Sequence, residues 1–135
     1  MCYILYGALY SDIDQNVYSK IADKYEFKFR LGTKHDVKMS VKNQSDQYNV
    51  TGWGCDCDSA LGMNEINNEE LDQYEALFNE IMNLDTDSHI YLCKTWTGKQ
   101  NKKEIKLKMD EINLRETLAT LEVNCLYTFE IKKNR

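Results

Sequence analysis

The stretch NNEELDQYEALFNEIMN, residues 67–83, carries the clearest helical pattern of the chain. Its large apolar residues recur every three or four positions, which places them on one face of an α-helix. These residues are Leu71, Tyr74, Phe78 and Ile81. Asn67 and, three positions later, Glu70 resemble a capping box, which satisfies backbone N–H groups of a first helical turn. We therefore predict a helix over residues 68–83 that packs one face against a sheet.

The residues that follow this helix alternate between strand and helix patterns. Residues 90–96 are mostly apolar and predict a strand. Residues 105–109 alternate apolar side chains with lysines, which is typical of a half-buried strand. Asn113 begins a pattern that predicts a short helix, and residues 125–131 predict a final strand.

The residues that precede residue 67 predict a strand, a helix and three further short strands. Residues 2–10 form a continuous apolar run, typical of a strand that is buried on both faces. Residues 13–25 have helical periodicity behind an Asp/Ser cap. Period-two alternation then predicts strands over residues 27–31, 37–41 and 48–50.

Together these patterns predict an α+β fold with the element order β-α-β-β-β-α-β-β-α-β. We expect a mixed or antiparallel sheet of about six strands that carries two main helices and one short helix. A chain of 135 residues has room for one hydrophobic core, so we predict one α+β domain over residues 1–135.

The amino-acid composition limits the kinds of partner that this protein is expected to bind. The formal net charge is −5, which disfavours binding to nucleic acid or to an anionic membrane and suits a basic protein. No apolar run approaches the roughly 20 residues that a membrane helix needs. The five cysteines follow no export signal, so we expect thiols in a reducing, cytoplasmic environment. The sequence does not indicate an oligomeric state.

The stretch GWGCDCDSALG, residues 52–62, is the best candidate for a functional loop. It combines glycines, which allow unusual backbone angles, with reactive side chains. Its candidate binding residues are Trp53, Cys55, Asp56, Cys57 and Asp58. Because tryptophan is a frequent interface anchor, we predict a non-enzymatic protein-interaction module. Trp53→Ala should then abolish partner binding and leave the melting temperature nearly unchanged, whereas a large drop would identify a packing residue.

The alternative function is a thiolate metal site, with zinc as the metal, or a redox site, built on Cys55 and Cys57. Thiolates suit zinc, but two cysteines leave a tetrahedral site incomplete. Cys2 and Cys93 are the candidates for the remaining ligands, with His89 and Cys125 as further donors. A competing interpretation is that the two cysteines are small residues packed under a glycine turn, because the chain contains no CxxC motif.

Three weaker signals have structural interpretations that we favour. Asp87, Ser88 and His89 are the residue types of a catalytic triad, but sequence neighbours rarely form one in space. The lysines between residues 99 and 108 resemble the protection of an edge strand more than a nucleic-acid site, because arginine is scarce. Nine tyrosines suggest a small-molecule site between sheet and loop.

Overall fold

The computed structural model describes residues 3–11, 15–24, 30–31, 46–49, 59–84, 87–96 and 103–133. The chain runs through strand β1, helix α1, strands β2 and β3, helix α2, strands β4 and β5, helix α3 and strand β6. A short 3-10 turn, Met109–Glu111, separates β5 from α3. The bounds are β1 Tyr3–Ser11, α1 Gln15–Lys24, β2 Arg30–Leu31, β3 Asp46–Asn49, α2 Glu69–Asn83, β4 Ser88–Trp96, β5 Lys103–Lys108, α3 Leu114–Ala119 and β6 Cys125–Ile131.

A three-stranded mixed sheet and two helices form the body of the described chain. β4 pairs antiparallel with β6, and β6 pairs parallel with β5. The apolar stripe of α2 is buried against this sheet, and the rings of Phe78 and Phe129 meet edge to face with centroids 5.3 Å apart. Leu118 and Ala119 of α3 join the same core. The helix predicted over residues 68–83 is thus confirmed, and its apolar face is the one expected.

The first half of the chain attaches to the body through β4 and α2. β1 pairs antiparallel with β4 over its whole length, from Tyr3 opposite Trp96 to Ser11 opposite Ser88. β3 pairs with β1, and β2 pairs with β3. In the resulting order β2-β3-β1-β4-β6-β5, strand β5 lies at one edge. Ile21 of α1 packs against the main core beside α2.

The predicted architecture is wrong in its element order, although the α+β class is correct. The prediction places three strands between the first two helices, where the described residues contain only the short strands β2 and β3. β4, β6 and β5 form a three-stranded mixed sheet under the two helices α2 and α3, and β1, β3 and β2 continue from its β4 side. The predicted strand 37–41 lies outside the described residues. Alternation is a local signal, whereas strand length and membership depend on partners distant in sequence.

Both faces of the central strands are buried. Ile90, Leu92 and Phe129 contribute to the core under α2. On the opposite face Tyr91, Cys93 and Leu126 form a second, smaller buried cluster. Among the described residues, no helix combines the length and the apolar composition that a membrane crossing requires.

Candidate functional site

The predicted functional loop is described only at its end, from Ser59 to Gly62. Trp53, Cys55, Asp56, Cys57 and Asp58 lie outside the described residues, and so does Cys2. Their assignment to a protein interface or to a zinc or redox site therefore remains a prediction.

The described end of this loop is part of the protein interior. Ser59, Ala60 and Leu61 are buried, and the side chain of Leu61 belongs to the main core. The Nζ of Lys94, a β4 residue that is only 3% exposed, donates to the carbonyl oxygen of Leu61 at 2.9 Å. Because a buried ammonium group must be paired with acceptors, this contact ties the loop end firmly to the sheet.

Gly62 allows the chain to leave the interior beside α3. Its φ of +78° lies in the left-handed region, as the glycine content of the stretch suggested. Its N–H donates to the Leu118 carbonyl at 2.9 Å, and the N–H of Asn64 donates to the Ala119 carbonyl at 2.8 Å. A Cβ at position 62 would lie 2.5 Å from the carbonyl oxygen of Leu121. The close approach to α3 and the backbone angle both require glycine here.

Glu70 holds the loop end from the other side. One carboxylate oxygen accepts from the N–H of Ala60 at 2.8 Å, and the other accepts from the Ser59 hydroxyl at 3.1 Å. The N-cap of α2 is Asn68, whose side chain accepts from the Glu70 N–H at 2.8 Å. The predicted cap, Asn67, is therefore wrong by one residue, and the Glu70 carboxylate serves a tertiary contact instead of the cap.

Arg115 joins α3 to the segment that precedes α2. Its guanidinium donates to the carbonyl oxygens of Ile66 and Asn68 and to the carboxylates of Asp72 and Glu75. Hydrogen bonds to Glu75 and then to Asp72 raise the pKa of Arg115 above its ordinary value. No local sequence pattern marks Arg115, because its partners are 40 or more positions away in the chain.

These contacts define a surface segment that we name the anchored loop, residues 62–68. Its backbone is held by α3, by Arg115 and through the Ser59–Leu61 end. Yet Met63 and Ile66 each leave 50% of their surface exposed to solvent. Glu65 and Glu69 are exposed beside them. The anchored loop therefore displays two large apolar side chains, with acidic neighbours, on a constrained backbone.

The two cysteines that the structure describes lie on opposite faces of the sheet. Cys93 is directly opposite Leu126 in the β4–β6 ladder, so the next residue, Cys125, faces the other side. Both are buried thiols, and desolvation raises the pKa of Cys93 to about 12, with a smaller contribution from Cys125. Within the described ranges, no group of three or more His, Cys, Asp or Glu residues is arranged to hold a metal.

The Asp87, Ser88 and His89 side chains diverge. The Asp87 carboxylate accepts from the N–H of Lys133 at 2.6 Å, and the His89 ring lies 3.5 Å from the Tyr91 hydroxyl. Ser88 is buried and lies on the other face of β4 from His89. These three residues therefore do not assemble a triad.

Comparison with known proteins supplies no further guide to the site. The chain matches no known family model, no curated protein and no solved structure.

Proposed function

We propose that this protein is a cytoplasmic protein-interaction module that binds a basic partner through the anchored loop. The observation that carries the proposal is the half-exposure of Met63 and Ile66 on a backbone that is hydrogen-bonded to α3 and to Arg115.

The constrained backbone favours binding in energetic terms. A flexible loop loses conformational entropy when a partner orders it, and this loss opposes association. The hydrogen bonds from Gly62, Asn64 and Arg115 already order the anchored loop in the unbound protein. Burial of Met63 and Ile66 by a partner would then contribute to affinity with a small entropic penalty.

The charges around the loop favour a basic partner. Glu65 and Glu69 are exposed on either side of Ile66, and the whole chain has a net charge of −5. Lysines or arginines at the rim of the partner would meet complementary charge, which increases association rates and excludes acidic proteins. Apolar anchors at the centre with charged groups at the rim are the usual arrangement of such interfaces.

The proposal retains the predicted role of Trp53. Residues 52–58 lead directly into Ser59, so they precede the anchored loop in the chain by a few residues. We propose that Trp53 contributes to the same contact surface. Trp53→Ala should then weaken partner binding and leave the melting temperature nearly unchanged.

A peptide-display selection with a random 12-residue library tests the proposal. We expect enriched peptides to combine apolar residues with lysine or arginine. The double substitution Met63→Ser/Ile66→Ser should weaken their binding about tenfold or more, because burial of both side chains is lost. The matched control is Val17→Ser/Leu84→Ser, which alters two exposed apolar residues near the far end of α2. It should leave binding unchanged.

Melting temperatures and the binding of the enriched peptides to the two double variants distinguish the possible results of this selection. Melting temperatures of both double variants should stay close to that of the parent, since all four side chains are exposed. A selection in which no enriched peptide is weakened by Met63→Ser/Ile66→Ser would contradict the role of the anchored loop. Acidic sequences among the peptides that this double substitution weakens would contradict the assignment of a basic partner.

A further inference from the structure

The edge strand β5 has a preformed hydrogen-bonding edge. β5 pairs with β6 along all six of its residues, from Lys103 opposite Cys125 to Lys108 opposite Glu130. In the part of the chain that the structure describes, no strand pairs with its other side. Every second N–H and C=O group of an edge strand points outward, so β5 presents the backbone pattern that an added strand requires.

The charge of β5 is opposite to that of the rest of the chain. Its sequence KEIKLK contains three lysines and one glutamate, a net charge of +2, whereas the whole chain has −5. All four charged side chains are exposed. Lys106 and Lys108 lie on the same face about 7 Å apart, and Glu104 precedes Lys106 on that face. Neither lysine forms an ion pair within the described ranges.

The other face of β5 is apolar and incompletely covered. Ile105 and Leu107 pack against the main core but remain only partly buried. Because they lie at the edge of the sheet, an adjacent strand would cover more of their surface. Because Ile105 and Leu107 face the core, the apolar face of β5 is fixed. An added strand must therefore place its own apolar side chains on that same face of the sheet.

We propose that the outer edge of β5 binds an acidic peptide in an extended conformation, as an added strand of the sheet. Acidic residues at alternate positions pair with Lys106 and Lys108, and the intervening β-branched residues lie beside Ile105 and Leu107. Backbone hydrogen bonds supply affinity and the alternating side chains supply specificity. This surface is distinct from the anchored loop, so the inference does not depend on the proposed function.

The lysines also explain which strands are excluded. When a neutral strand pairs with β5, the ammonium groups of the β5 lysines lose part of their hydration and gain no opposite charge in return. Lysines on edge strands discourage aggregation in this way. An acidic strand neutralises those groups. The same side chains therefore reject most strands and accept an acidic one.

Fluorescence anisotropy with the labelled peptide Asp-Val-Asp-Val-Asp-Val tests this inference. We expect saturable binding that weakens as salt is added. Lys106→Glu/Lys108→Glu should weaken binding about tenfold or more, because two attractive cross-strand pairs become repulsive. The control Lys20→Glu/Lys24→Glu makes the same charge change on exposed positions of α1 and should alter affinity less than about twofold.

Backbone methylation distinguishes an added strand from general charge attraction. N-methyl groups on all three aspartates block one edge of the peptide, and N-methyl groups on the valines block the other. We expect one of these two peptides to lose binding while the other retains it. If both bind as well as the parent peptide, the attraction is electrostatic only and the strand model is overturned.

Two further measurements complete the test. Amide hydrogen exchange of residues 103–108 should slow when the peptide binds, and the Met63→Ser/Ile66→Ser variant should bind the peptide normally. Sedimentation equilibrium of the protein without peptide should show a monomer. If it shows a dimer instead, and if both Lys106→Glu/Lys108→Glu and added peptide dissociate that dimer, then the β5 edge binds a second copy of this chain and the proposal is overturned.

Discussion

Gly62 illustrates how one residue permits a whole segment to pass between buried and exposed surroundings. Before it, Leu61 is fully buried, and after it Met63 is half exposed. The change of direction uses a positive φ and places the Gly62 backbone against α3. Asn64 also has a positive φ, of 59°, which asparagine tolerates better than most residues.

Gly62→Ala should destabilise the protein by at least about 2 kcal/mol. The left-handed angle costs a non-glycine residue about 1 kcal/mol, and the new Cβ must also displace the Leu121 carbonyl, which is 2.5 Å away. Urea denaturation measures the free energy of unfolding. Asn64→Gly is the control, because glycine suits the same backbone angle, and it should change the free energy by less than about 0.5 kcal/mol. An unchanged midpoint for Gly62→Ala would contradict this account.

At the scale of elements, α2 both covers the sheet and holds the end of the preceding loop. Its apolar stripe is buried in the core, while Glu70 in its first turn accepts two hydrogen bonds from Ser59 and Ala60. Arg115 then links α3 to the α2 carboxylates of Asp72 and Glu75. The loop and the two helices should therefore gain and lose order together.

Glu70→Ala should lower the free energy of unfolding by about 2 kcal/mol. The substitution leaves the N–H of buried Ala60 without its carboxylate acceptor, and an unsatisfied buried donor costs about 1–3 kcal/mol. Glu69→Ala is a matched control, because it removes an exposed carboxylate from the same helical turn. That control should cost less than about 0.5 kcal/mol. Equal losses in the two variants would show that the helix dipole, and not the loop contact, is responsible.

At the scale of the whole molecule, buried thiol and phenol groups should make the free energy of unfolding decrease at alkaline pH. Desolvation raises the pKa of Cys93 to about 12, and burial also raises the pKa values of Cys125 and Tyr127. Above about pH 9 the unfolded chain releases these protons while the folded protein retains them. The unfolded state then binds fewer protons, so its free energy falls relative to the folded state as pH rises.

The free energy of unfolding should therefore decrease between pH 8.5 and 10.5, as measured by urea denaturation. Each group whose proton is retained in the folded state contributes up to about 1.4 kcal/mol per pH unit. Cys93→Ala lowers stability at every pH but should reduce this slope, because it removes the largest of these shifts. The same slope in the parent and the variant would contradict the burial of an un-ionised Cys93 thiol.

Local sequence patterns were sufficient to predict the α+β class and the helices and strands with the clearest periodicity. The apolar period of residues 71–81 predicts α2 and its buried face, and the Asn113 cap predicts α3, because both signals depend on residues within a few positions. The alternation around Ile105 likewise predicts β5. Gly62 could be recognised as a turn residue, although the α3 carbonyl that demands glycine could not.

The tertiary structure alone determined the parallel pairing of β5 with β6, the three-stranded body and the anchored loop. Sequence alternation does not specify which strands pair, or how many belong to the body, because pairing depends on residues far apart in the chain. Glu70 looks like half of a capping box and Arg115 like an ordinary exposed cation, until folding brings Ala60 and Ile66 to them. A hydrogen bond between distant segments leaves no periodic trace in the chain, so such contacts follow from the folded geometry and not from local pattern.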